Sequence, residues 1–154
     1  MVVSVRQKSA IRNQKSASEN MKLQSAKDLT VYVKAYTLAM RVFEISKRFP
    51  PEERFALTSQ IRRSSRSVCM NLREAWSKRR YEAHFVSKLT DCDGENSESN
   101  TSLDFAKSCA YISDAEHSEL VGLTIETGKM LGAIIQNPAP FLLTSDLELL
   151  RPRT

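Results

Sequence analysis

A chain of 154 residues, 41% hydrophobic and 27% charged, is sized for one domain with its own core and needs no disulfide staples. No apolar run approaches the roughly 18 residues of a membrane span, and the basic N-terminus lacks the apolar stretch of a secretory signal, so a cytoplasmic protein is expected. Four glycines and five prolines are too few for the turns of an all-β fold, and the net charge of +5 is spread very unevenly.

Residues 1–27 are polar and serine-rich. They carry Arg6, Lys8, Arg12, Lys15, Lys22 and Lys27 against Glu19 alone, which is the whole excess charge. With no sustained hydrophobic period, they are expected to form a disordered basic arm. Met21 is an alternative start.

The first helix is predicted from about Asp28 to Phe49. Val31, Ala35, Leu38, Val42, Ile45 and Phe49 recur at alternating four- and three-residue steps, a seam of the heptad kind. Asp28 is the expected N-cap, and Pro50-Pro51 ends the helix. The second helix is predicted from about Arg54 to Ser77, with Leu57, Ile61, Val68, Leu72 and Ala75 on one face.

The third helix is predicted from about Tyr81 to Ala110, with Phe85, Leu89, Cys92, Leu103 and Ala106 on one side. Gly94, Asn96, Ser97, Ser99, Asn100, Thr101 and Ser102 are poor helix formers, so a break near 94–101 is the alternative. Phe85 and Leu103 keep phase across that stretch, which favours a continuous helix. The fourth helix is expected to begin after Ser113, where Ser113 and Glu116 match a capping box. Leu120, Leu123, Thr127, Met130, Leu131 and Ile134 form its seam, and Asn137-Pro138 stops it.

The expected fold is all-α: an antiparallel up-down-up-down four-helix bundle over residues 28–137, followed by a short tail, 138–154. Phe141, Leu142, Leu143, Leu147, Leu149 and Leu150 make the tail apolar enough to dock on the bundle or on a neighbouring subunit.

Charge is two-sided within the helical part. Residues 54–80 sum to +7 and residues 82–126 to −8. On the second helix Arg62, Arg66, Arg73 and Arg80 form a stripe, joined by Arg63, Lys78 and Arg79, with Trp76 among them as a stacking aromatic. Guanidinium forks suit phosphate or carboxylate. The stripe could therefore bind nucleic acid, pair with the acidic surface of the same chain or the next subunit, or stand solvated.

Asp91, Glu95 and Glu98 share a face of the third helix. A solvated or ion-paired stripe is the plain reading, and a carboxylate-held metal is the catalytic one. Ser64, Ser67, Asn71, Asn96 and Ser99 fall on inner faces and need hydrogen-bond partners, and Glu74 is placed with Asn71 in such a network.

His84 and His117 are not spaced as Glu-x-x-His, and no glycine-rich phosphate loop is present. Cys69, Cys92 and Cys109 form no Cys-x-x-Cys pair and are expected to be reduced apolar fillers. No metal, cofactor, catalytic residue or small-molecule substrate is expected.

The run Ala35-Tyr36, Leu38-Ala39-Met40, Phe43-Glu44, Phe49-Pro50 and Leu57 through Ser65 resembles the four-helix bundle family known as 23S ribosomal-RNA intervening-sequence proteins. The resemblance continues through Ser67-Val68-Cys69, Asn71-Leu72, Glu74-Ala75-Trp76, Lys78 through Tyr81, Lys88-Leu89, Asp91 and Asp93-Gly94-Glu95. It ends with Leu103-Asp104, Tyr111-Ile112-Ser113, Gly128 through Gly132 and Asn137-Pro138. The chain departs from the family pattern at Met70 and Arg73, where small residues are usual, and at Ser99 and Ser102, where Thr and Trp are.

The resemblance implies an antiparallel bundle that closes into a homopentameric ring, with no enzymatic activity. The chain is also similar to the accessory protein of diversity-generating retroelements, a basic pentamer that binds nucleic acid and a reverse transcriptase. A self-assembling scaffold that engages RNA, DNA or a nucleic-acid enzyme is the leading expectation. A protein-only adaptor and a metal enzyme using Asp91, Glu95 and Glu98 are the alternatives.

Overall fold

A computed structural model describes residues 23–143. Four α-helices carry the fold: α1 (Thr30–Ser46), α2 (Leu57–Ser77), α3 (Glu82–Ser108) and α4 (Asp114–Gln136). Short 3-10 turns occupy Ala26–Asp28, Pro51–Glu53 and Ala139–Phe141. Among the described residues there is no strand, and no helix is long and apolar enough to cross a membrane.

Each helix packs on two others in the cyclic order α1–α2–α3–α4. Side-chain pairs across each seam fix the directions. Lys34 and Arg41 along α1, and Arg48 just past its end, meet Glu126, Glu119 and Glu116 in reverse order along α4. Arg63 meets Glu98 while Glu74 meets Lys88, so α2 and α3 are antiparallel. Asn96 meets Thr124 while Asp104 meets His117, so α3 and α4 are antiparallel too. The bundle is up-down-up-down.

All the seam residues expected on α1, α2 and α3 are buried; on α4, Leu123 and Met130 are half-buried. The core has two apolar halves. One gathers Val31, Leu72, Phe85, Leu89 and Leu131; the other gathers Leu38, Val42, Ile61, Leu103 and Leu120. Each fully buried Leu, Ile or Phe contributes about 2 kcal/mol.

Between the halves lies a buried belt of small polar residues. Ser64 and Ser99 share a 2.8 Å hydrogen bond between α2 and α3. Asn96 Nδ2 donates to the Thr124 carbonyl at 2.8 Å, and Asn100 Nδ2 donates to Thr124 Oγ1 at 2.6 Å. These bonds answer the burial of polar groups, which otherwise costs free energy. They also explain why α3 runs unbroken: its poor helix formers Asn96, Ser99 and Ser102 are buried in the packing rather than exposed at a break.

Helix ends differ from expectation in physical detail. Asp28 does not cap α1. It closes a capping box with Ser25 instead, accepting from the Gln24 and Ser25 amides at 3.0 and 2.9 Å. Ala26 is fully buried and Leu23 packs on the core, so these residues of the expected arm belong to the bundle. The rest of the arm, 1–22, lies outside the described residues.

Helix α2 starts at Leu57 rather than Arg54, because Pro51–Glu53 makes a tight turn and Glu53 Oε2 takes the Leu57 amide at 3.0 Å. The Ser113–Glu116 box forms as read, with reciprocal bonds of 3.1 and 3.0 Å. In the tail, Phe141 and Leu142 pack on the core; Leu147, Leu149 and Leu150 lie outside the described residues.

Helix α3 ends at Ser108 because Ala110 takes a left-handed conformation at φ 61°. The Tyr111 amide then bonds to the Ala106 carbonyl and the Ala110 amide to that of Lys107, both at 2.9 Å. This is a Schellman closure with alanine where glycine fits without strain. Ala110→Gly is expected to raise the unfolding free energy by about 1 kcal/mol, read from urea denaturation.

Candidate functional site

Helix α2 and the turn after it carry the basic residues that the sequence singles out, and the fold sorts them into paired and unpaired groups. Arg63 leans towards α3, donating to Glu98 at 2.7 Å and to Glu95 at 3.4 Å. The Glu98 hydrogen bond, then the nearby Glu95 charge, raises the Arg63 pKa. Lys78 reaches Glu74 at 3.9 Å. Lys88 on α3 gathers Glu74 at 3.1 Å and Asp91 at 3.3 Å, and those two partners raise its pKa.

Asp91, Glu95 and Glu98 each meet a cation of their own chain, Lys88 for the first and Arg63 for the other two. They do not converge. Among the described residues no three His, Cys, Asp or Glu side chains form a group that could hold a metal ion. The three-carboxylate metal site has no ligand cluster among these residues.

Asn71 and Glu74 do not form the expected interior network either. Asn71 is half-buried and Glu74 exposed, and both meet Lys88 at the rim of the α2–α3 groove. The interior polar bonds belong to Ser64, Ser99, Asn96 and Thr124.

The remaining arginines, Arg54, Arg62, Arg66, Arg73, Arg79 and Arg80, have no carboxylate partner among the described residues. Arg79 is held inward. Its Nε donates to the Trp76 carbonyl at 2.8 Å, and its guanidinium lies 3.5 Å from the Trp76 ring centroid. Burial pushes its pKa down. Trp76 is half-buried and its face is covered by Arg79, so it is not the open stacking aromatic that the sequence suggested.

Two phenylalanines take that place. Arg62 and Arg66 lie 5.0 and 5.6 Å from the Phe43 centroid of α1, and Arg62 Nε donates to Ser46 Oγ at 2.7 Å. Arg54 lies 5.2 Å from Phe55, which is 88% exposed. Such cation–π contacts contribute about 0.5–1 kcal/mol each at exposed sites, and they orient the guanidinium forks.

Arg54, Phe55, Arg62, Arg63, Arg66 and Met70 wall a surface depression of about 530 Å³. Its chemistry suits an anion with a flat apolar face. Phe55 was legible as a large aromatic off the Leu57–Ile61 seam; the approach of Phe43 to Arg62 needed the α1–α2 crossing. Arg73 stands exposed farther along α2, and Arg80 in the turn that follows it.

All three cysteines are free. Cys69 and Cys92 are buried, and burial pushes their thiols up to about 11 and about 12. That suppresses the reactive thiolate and fits a filler role. Cys109 is exposed.

The sequence matches a family model described as 23S rRNA-intervening sequence protein over residues 27–133. Among solved structures, the chain is similar to a protein of unknown function from the S23 ribosomal protein family of Bacteroides thetaiotaomicron VPI-5482. The two share 28% identity at a TM-score of 0.65, over 72% of this chain and 99% of that one. No curated protein matches. With the family match spanning the whole of α1, α2 and α3 and most of α4, the chain belongs to the 23S rRNA-intervening sequence protein family.

Proposed function

We propose that this protein is a non-enzymatic, self-assembling scaffold of the cytoplasm, a homopentamer, that binds nucleic acid through the arginine face of α2. The carrying observation is the sorting of charge. The acids of α3 and α4 largely find cations within the chain, whereas Arg54, Arg62 and Arg66 stay unpaired over two phenylalanine rings. Unpaired guanidinium forks beside an exposed ring fit phosphates and a stacked base of a single strand. Repetition of the face around an assembly multiplies a weak attraction.

Fluorescence anisotropy of a labelled single-stranded RNA tests this. Three phosphates neutralised per subunit predict that log K falls against log salt with a slope of about −2 for each engaged subunit. Binding that is unchanged from low to high salt, or absent at low salt, would contradict the proposal.

A further inference from the structure

The contacts between α1 and α2 keep a register that runs on past the Arg54–Arg66 depression. Arg62 meets Ser46, and Arg66 lies over Phe43. The two helices are antiparallel, so a step up α2 is matched by a step down α1. Seven residues beyond Arg66 stands Arg73, and seven before Phe43 stands Tyr36. Seven residues are nearly two whole turns, which returns each side chain to the same side of its helix about 10 Å farther along.

The second point in the register has its own aromatic pair. Tyr32 and Tyr36 stack with ring centroids 6.2 Å apart and planes 24° from parallel. Tyr32 is half-buried and packs on the core, whereas Tyr36 is 54% exposed. Burial, then the Cys69 thiol, raises the Tyr32 pKa, and the Arg73 guanidinium is near enough to pull against them. With Lys27, Val33 and Thr37, the two rings wall a depression of about 320 Å³. Arg73 and Lys27 are both exposed.

An exposed ring held against a core-packed one is already in place before a ligand arrives, so it loses little side-chain freedom on binding. An apolar partner would cover the ring but leave the two cations unanswered. A nucleotide satisfies both, with its base on the ring and its phosphates on the cations.

We infer that Tyr36, backed by Tyr32, is a second stacking platform for a single strand, with Arg73 and Lys27 taking the phosphates beside the stacked base. The strand then follows the α1–α2 seam from Phe55 past Phe43 to Tyr36. This site rests on the nucleic-acid binding proposed above and adds the path of the strand and its need for unpaired bases. A duplex keeps its bases stacked on one another and has none to offer Tyr36.

Anisotropy titrations of the full chain test it with two probes of about twelve nucleotides, an adenosine strand and an abasic strand carrying the same phosphates. Circular dichroism confirms that each variant is helical. Tyr36→Ala is expected to weaken binding of the adenosine strand on the order of tenfold, with its salt slope and the abasic strand's affinity unchanged. Tyr36→Phe keeps the stack and is expected to bind as wild type does. Arg73→Gln is expected to weaken both probes and to flatten the log–log salt slope by about 0.7 for each engaged subunit. A wild type that binds neither probe at low salt would overturn the nucleic-acid reading and this site together. Unchanged adenosine-strand binding by Tyr36→Ala, where replacing Arg54, Arg62 and Arg66 does weaken it, would overturn this site alone. Equal losses on both probes from Tyr36→Ala, or a loss from Tyr36→Phe as large as that from Tyr36→Ala, would overturn it as well.

Discussion

Replacing Arg54, Arg62 and Arg66 together by glutamine is expected to weaken RNA binding on the order of a hundredfold at low salt. Each guanidinium is unpaired in the chain, so its charge is available to a phosphate and its loss is not masked by an internal acid. A charged hydrogen bond contributes about 1 kcal/mol or more net, so three lost contacts amount to about 3 kcal/mol. The log–log salt slope should flatten in parallel, because three fewer counterions are released per subunit. Arg63→Gln is the matched control. Its guanidinium is held by Glu95 and Glu98, so RNA affinity should move little. Anisotropy titrations of both variants read the difference, and equal losses would show that charge sorting does not select the binding residues.

Leu103→Ala is expected to destabilise the fold strongly. Leu103 is fully buried in the apolar half-core shared with Leu38, Ile61 and Leu120. Removing it takes away transfer free energy and leaves a cavity, together about 3 kcal/mol. For a domain of this size that lowers Tm by about 10 °C, measurable by calorimetry. The position is sensitive for a second reason. The preceding turns of α3 hold Gly94, Ser97, Asn100 and Thr101, which contribute little helix propensity, so packing at Leu103 helps keep the helix intact. Phe105→Ala, two residues on and 60% exposed, is expected to stay within about 0.5 kcal/mol of wild type.

The helices were legible because their apolar residues keep a helical period, and the Ser113–Glu116 box was legible because both partners sit three residues apart. What the sequence could not yield is pairing between helices. Asp91, Glu95 and Glu98 share one face of α3 in either case, but only the α2–α3 crossing brings Arg63 against two of them. Trp76 lies on the basic helix, yet its openness depends on whether Arg79 folds back over it. Asn71 and Asn96 read alike as inward polar residues. The register of α3 against α4 buries Asn96 beside Thr124, whereas Asn71 falls at a groove rim.

Ultraviolet cross-linking of the full chain to a single-stranded RNA, with the adducts mapped by mass spectrometry, bears most directly on where a nucleic acid would lie. Adducts should concentrate on Phe55 and Phe43, the exposed and half-buried rings that flank the unpaired arginines. Adducts confined to α3 and α4, or none at a concentration where RNA is bound, would contradict it.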